Sequence, residues 1–183
     1  VRLPRPAYAP RLPAAVVSAG LLSECQLETV IYAGAAHARH LPGHWTVDET
    51  GTLLSAAAEG AEGAVRFRQG FFLGDGTGAG KGRQLAGAIL DNWLKGRRRH
   101  VWISKSDKLI EDAQRDWSAL GGMAADVQPL SRWKIDEAIS MAEGVLFVSY
   151  PTLRSARVDN QRNRTGSKTA HYRAINCTEA DLA

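Results

Sequence analysis

Apolar positions recur along this chain at two different spacings, and the switch between them predicts alternating helices and strands. Ser23 with Gln26 three residues on is a capping-box signature. Leu27, Val30, Ile31 and Ala35 then share one helical face, which predicts a helix over 24–39. Residues 43–69 hold no sustained period; TGTLLS and AVRFR read as the strands of a hairpin, with AAEGAEG as a loose connection. GFFL, residues 70–73, is a short apolar run expected as a buried strand. A glycine-rich turn follows, and Leu85, Ala86, Ile89, Trp93 and Leu94 mark the inward face of a second helix that Gly96 stops. HVWIS reads as a strand, and Asp107 opens a helix with Leu109, Ile110, Ala113 and Trp117 inward, ended by Gly121 and Gly122. ADVQPL is a short strand, residues 134–141 a further helix, and GVLFVSY the most strand-like segment of all. Strands alternating with helices predict a parallel sheet covered by helices, an α/β fold. Ligands bind such sheets at the carboxyl ends of the strands.

The glycine turn lies at such an end. In Gly74-Asp75-Gly76-Thr77-Gly78-Ala79-Gly80-Lys81-Gly82-Arg83, alternate glycines let backbone amides turn inward without a Cβ clash. Inward amides make an anion nest, and the helix behind them adds its positive end. Lys81 supplies a full charge, so the segment suits a triphosphate, with the ammonium on the β and γ oxygens. The fit to G-x-x-x-x-G-K-[ST] is partial: Asp75 stands at the first glycine and Gly82 at the hydroxyl that normally ligates Mg²⁺. Gly74-x-Gly76-x-x-Ala79 also fits a looser dinucleotide fingerprint, which wants a ribose-binding acid at the end of the next strand. That strand ends Ser104-Lys105-Ser106, with Asp107 beyond. A plain glycine linker would not separate an apolar strand from an amphipathic helix.

Composition narrows the class. The chain has 183 residues, 44% hydrophobic and 23% charged, enough for one domain with a core. No apolar run approaches the roughly 20 residues of a membrane helix. Two cysteines, Cys25 and Cys177, make no disulfide framework, which fits a reducing, cytoplasmic setting. The net charge of +4 is compatible with phosphate-rich partners. Residues 1–20 open with four prolines and three arginines in the first 15, and read as an extended, poorly packed linker from a longer polypeptide. Residues 156–183 read as a basic, poorly ordered tail. His37, His40 and His44 lack the cysteine or carboxylate that would complete a metal set, so no metal ligands are assigned.

The run GFFLGDGTGAGKGRQLAGAILDNWLKGRRRHVWISKS resembles the N-terminal RecA-like domain of the Strawberry notch family, superfamily 2 helicase-like P-loop NTPases. LLSECQLETVIYAGAAHARHLPG upstream and GVLFVSYPTLRS downstream are similar to the same family in the same order, so the resemblance covers about 21–155. It implies a three-layer RecA-like P-loop domain with a mainly parallel sheet, incomplete here. It implies ATP with Mg²⁺ as cofactors, held by Gly76, Thr77, Gly78, Ala79, Gly80, Lys81, Gly82 and Arg83. Gln26 is similar to the glutamine that reads adenine in these proteins; a capping glutamine explains the same residue equally well. Ser104, Lys105 and Ser106 resemble a segment that touches a DNA or RNA backbone, although a helix cap before Asp107 is an equal alternative. Thr152 and Arg154 resemble the next such segment.

The departures carry weight too. The family continues to a DExH box and a second RecA-like domain with its arginine finger, and no such box occurs before Ala183. The expectation is an ATP-binding part of a larger parent protein, unable to hydrolyse ATP by itself. The alternative is a non-catalytic nucleic-acid module using the basic residues at 95–99 and in the tail.

Overall fold

The computed structural model describes residues 7–48, 53–134 and 139–154. The chain divides into two compact units, one running to Arg97 and the other starting at Arg98.

In the first unit, a short helix α1 (Ala14–Ser18) precedes α2 (Glu24–His37), a hairpin of β1 (His44–Val47) and β2 (Leu54–Ala57), and α3 (Lys81–Trp93). The capping box at α2 forms as expected: Ser23 accepts from the Gln26 amide, and the Ser23 amide donates to Gln26 Oε1 at 3.0 Å. α2 packs on α3 with Val30 against Gly87, and Val30, Ala33 and Ala86 are all buried. Burying a valine such as Val30 is worth about 2 kcal/mol. The hairpin differs from the sequence reading. LSAA, Leu54–Ala57, pairs with HWTV, register Val47↔Leu54 to His44↔Ala57, and AVRFR instead bridges back at Trp45↔Val65 and His40↔Arg68. Residues 44–47 follow the Pro42-Gly43 break and carry histidine, so alternation alone did not mark them as a strand.

Two further expectations fail here. Residues 70–73 form no strand; Phe71 and Phe72 are exposed, Phe72 at 89%. A buried strand needs ladder partners, and among the described residues none pairs with this run. α3 buries Ala86 as expected but otherwise a different stripe. Leu85 and Leu94 are exposed, while Gln84, Gly87, Leu90, Asp91 and Asn92 are buried. A polar network makes this possible. Asp91 accepts from the Tyr8 hydroxyl, from the Arg11 amide at 2.6 Å and from the Lys95 ammonium at 2.9 Å. The Tyr8 ring lies against Gly34 of α2, where a Cβ would collide with it. So residues 8–11, expected to be poorly packed, are tied to both helices, and Val16 behind them is buried.

The same network holds His37. Asn92 donates through Nδ2 to His37 Nδ1 and to the Ala88 carbonyl, while its Oδ1 accepts from Arg97 Nε. His37 is therefore an acceptor at Nδ1, the neutral form. Burial first, then the Arg97 guanidinium, holds its pKa below 6.5. The unfolded imidazole binds its proton near 6.5 and the folded one does not, so stability is lost as pH falls through and below that value. Urea midpoints should drop between about pH 7.5 and 5.5, and His37→Gln should remove the greater part of the drop. A variant with an unchanged slope would show that the imidazole is protonated in the folded chain.

In the second unit, β3 (Arg99–Ser104), β4 (Val127–Pro129) and β5 (Gly144–Ser149) make a parallel sheet of order β3-β5-β4. β5 is central, so all six of its residues are buried, which is why it reads as an unbroken apolar run. α4 (Ile110–Ser118) follows β3 through a 3₁₀ turn, Asp107–Leu109, and buries Ala113 and Trp117. Trp117 Nε1 donates to Asp126 at 2.8 Å. A second core patch joins Leu130, Trp133, Leu146 and Val148. α5 (Tyr150–Arg154) runs on from β5. The helix expected over 134–141 is not seen at 139–141, and 135–138 lie outside the described residues, as does the tail from 155. The sheet and helices form an α/β arrangement with parallel strands, as the fold class anticipated.

Candidate functional site

The glycine turn of the first unit is shaped by its backbone. Gly78 has φ 91° and Gly80 φ 71°, the left-handed region. Gly80 is also the N-cap of α3, so the chain enters the helix from a conformation that favours glycine. A Cβ at Gly80 would stand 2.5 Å from Gln26 Nε2. The first amides of α3 have no partner within the helix, and with its dipole they face the turn. Residues 74–80 are exposed, so the cradle is open to solvent.

Three side chains meet this turn. Lys81 Nζ donates to the carbonyls of Asp75 at 2.9 Å and Gly76 at 2.8 Å, so its ammonium is held over the loop. Gln26 donates through Nε2 to the Ala79 carbonyl at 3.3 Å. Gln84 donates to the same carbonyl at 3.1 Å and to Asp75 Oδ2 at 2.9 Å. Arg83 turns elsewhere and donates to the Leu21 carbonyl at 3.1 Å. The two explanations of Gln26 thus coexist in one side chain: Oε1 completes the cap and Nε2 reaches a loop 53 residues away. Gln84 was missed in the sequence. Its signal was there, since 84, 87 and 91 share a helical stripe, but a stripe of glutamine, glycine and aspartate does not look buried.

The donors fit a triphosphate better than a metal. Open amides and an ammonium bonded only to exposed carbonyls can exchange those for phosphate oxygens. Mg²⁺ wants oxygen ligands in octahedral array. Here Asp75 is engaged by Gln84, residue 82 is glycine, and no group of three metal-ligating side chains occurs among the described residues.

The second unit gathers the other predicted contacts. The register pairs Ser104 with Ser149 at the carboxyl ends of β3 and β5, so Lys105–Ser106 and Tyr150–Thr152 emerge side by side. Ser106 accepts from the Lys108 amide at 3.3 Å, so it does act as the cap of the following turn. Thr152 is bonded to Ser149 Oγ at 3.0 Å and reaches Asp107 Oδ2 at 3.5 Å, which links the two segments. Lys105, Tyr150, Pro151 and Leu153 line a cleft of about 480 Å³. The Arg154 side chain lies outside the described residues.

A family model described as P-loop containing NTP hydrolase pore-1 matches residues 1–172. The chain belongs to this P-loop NTPase family. Its relatives among well-described proteins include protein strawberry notch of Drosophila melanogaster, 35% identical over 92% of this chain and 9% of its own length. Protein FORGETTER 1 of Arabidopsis thaliana is 36% identical over 84% of this chain and 10% of its own length. Human protein strawberry notch homolog 2 is 35% identical over 80% of this chain and 9% of its own length. The chain thus spans about a tenth of the relatives it matches. No solved structure matches it significantly. Among the described residues, no helix of this P-loop NTPase domain is long and apolar enough to cross a membrane.

Proposed function

We propose that this P-loop domain binds ATP as the N-terminal part of a Strawberry notch-like superfamily 2 NTPase that acts on nucleic acid. The observation that carries the reading is the meeting of Gln26 and Lys81 on one glycine turn. Gln26 comes from a helix remote in sequence, and its carboxamide stands beside the phosphate cradle with donor and acceptor atoms suited to a purine edge. Gly76 to Arg83 would enclose the phosphates, and the bound nucleotide would bring Mg²⁺ with it. Phosphoryl transfer depends on positioned metal, water and arginine. With no DExH box in the chain, binding with negligible turnover is the expected behaviour. The remainder of a parent polypeptide, including a second RecA-like domain, would supply those parts. Calorimetric titration with ATP tests the reading: saturable heat with one site supports it, and no heat at millimolar ATP removes it.

The Lys105–Tyr150 cleft favours the nucleic-acid half of the proposal. Ser104, Lys105, Ser106, Thr152 and Arg154 would meet a DNA or RNA backbone. Each phosphate contact releases counterions, so affinity falls steeply with salt. Lys105→Ala should flatten the log–log salt slope for a single-stranded oligonucleotide by about one. An unchanged slope would place the nucleic acid elsewhere.

A further inference from the structure

We propose that Gln84 is the positioning residue of the phosphate loop: a buried carboxamide that sets the loop's shape from the helix side, before any nucleotide arrives. This rests on the ATP-binding reading above. Gln84 is 1% exposed, among the most buried side chains of the first unit. Its two amide hydrogens go to opposite ends of the turn, to Asp75 Oδ2 at 2.9 Å and to the Ala79 carbonyl at 3.1 Å. One rigid group therefore spans the turn from Asp75 to Ala79 and fixes its width. The orientation is set by chemistry, because a flipped carboxamide would point an oxygen at two acceptors.

Two features say that this arrangement serves the loop and not the core. The Oε1 atom of Gln84 is buried with no hydrogen-bond partner among the described residues. Leaving a buried acceptor unpaired destabilises a fold, so packing alone would favour leucine at this position. Second, Asp75 stands where the P-loop pattern has glycine, which puts a carboxylate in the loop that must take a polyanion. The Gln84 bond engages one carboxylate oxygen and fixes its orientation. Gln26 meets the same Ala79 carbonyl from α2, so Gln84 also sets where that carboxamide rests.

The test uses the whole chain and three variants, read by ATP calorimetry, by thermal midpoint, and by ¹⁵N relaxation of the Gly76, Gly78 and Gly80 amides without nucleotide. Gln84→Leu keeps the volume and removes the orphan acceptor. It is expected to hold or raise the midpoint, weaken ATP about tenfold, and lower the order parameters of the loop amides. Gln84→Glu faces the Asp75 carboxylate, so its ATP affinity should fall at neutral pH and recover as the pH drops into the carboxylate range, where a shared proton restores the bond. Gln84→Glu with Asp75→Asn reverses donor and acceptor at residue 75 only, since the introduced carboxylate still faces the Ala79 carbonyl, so affinity at neutral pH should recover part of the way from the single variant toward wild type. A Gln84→Leu chain with unchanged loop relaxation overturns the inference whatever ATP does. So does one that loses midpoint and affinity together, since that is a core role. If the wild type takes no ATP yet Gln84→Leu loosens the loop, positioning stands and the nucleotide reading falls.

Discussion

Lys81→Ala is expected to weaken ATP binding by about 100-fold while leaving the thermal midpoint within a few degrees. The ammonium is bonded to the glycine turn, on the Asp75 and Gly76 carbonyls. Binding exchanges those neutral acceptors for phosphate oxygens. A hydrogen bond to a charged partner is worth about 1.5–3 kcal/mol, and each 1.4 kcal/mol is tenfold. Stability should barely move, because residue 81 starts α3, where alanine is a good helix former. Calorimetry with ATP on both proteins decides it. Equal affinities would show that phosphate does not sit in this turn, and the functional proposal would fail with it.

Asp91→Ala is expected to cost about 3 kcal/mol of stability, read from urea unfolding. Asp91 is fully buried, and its carboxylate holds Tyr8, Arg11 and Lys95 at once. Burial pushes its pKa up, while the Arg11 amide and then Arg97 pull it back. Removing one partner of a buried ion pair strands the others, at about 3–5 kcal/mol. Lys95 keeps some contact with water, which favours the lower figure. Asp91→Asn keeps one of the two acceptor oxygens, enough for the Arg11 amide, and should lose less than alanine. A cost below about 1 kcal/mol for alanine would mean that the segment around Tyr8 is held by packing on Gly34 alone.

Much of this was legible in the residues. The Ser23–Gln26 cap, the helix behind it, the strands at 99–104 and 144–149 and the short strand near Val127 carry local signals strong enough to name. So did the turn itself, because Gly78 and Gly80 sit where the backbone asks for glycine. Three things were not legible, for one shared reason. The run at 70–73 has the composition of a buried strand, but pairing is a property of neighbours and not of the run. The inward face of α3 looked like Leu85 and Leu94, yet a polar network recruited Gln84, Asp91 and Asn92 instead. Tyr8, in a proline-rich stretch, found its partner 83 residues away. Periodicity records what a segment offers; it does not record which offer is taken up.

The double use of Gln26 has a practical consequence for anyone who sets out to make this domain sturdier. Glutamate is an equally good closing residue for a serine-led helix start, and routine optimisation would choose between the two on helix grounds. At this position glutamate would bring a negative charge to a carbonyl that now receives an amide hydrogen. An ordinary improvement of the scaffold would then act against the proposed nucleotide.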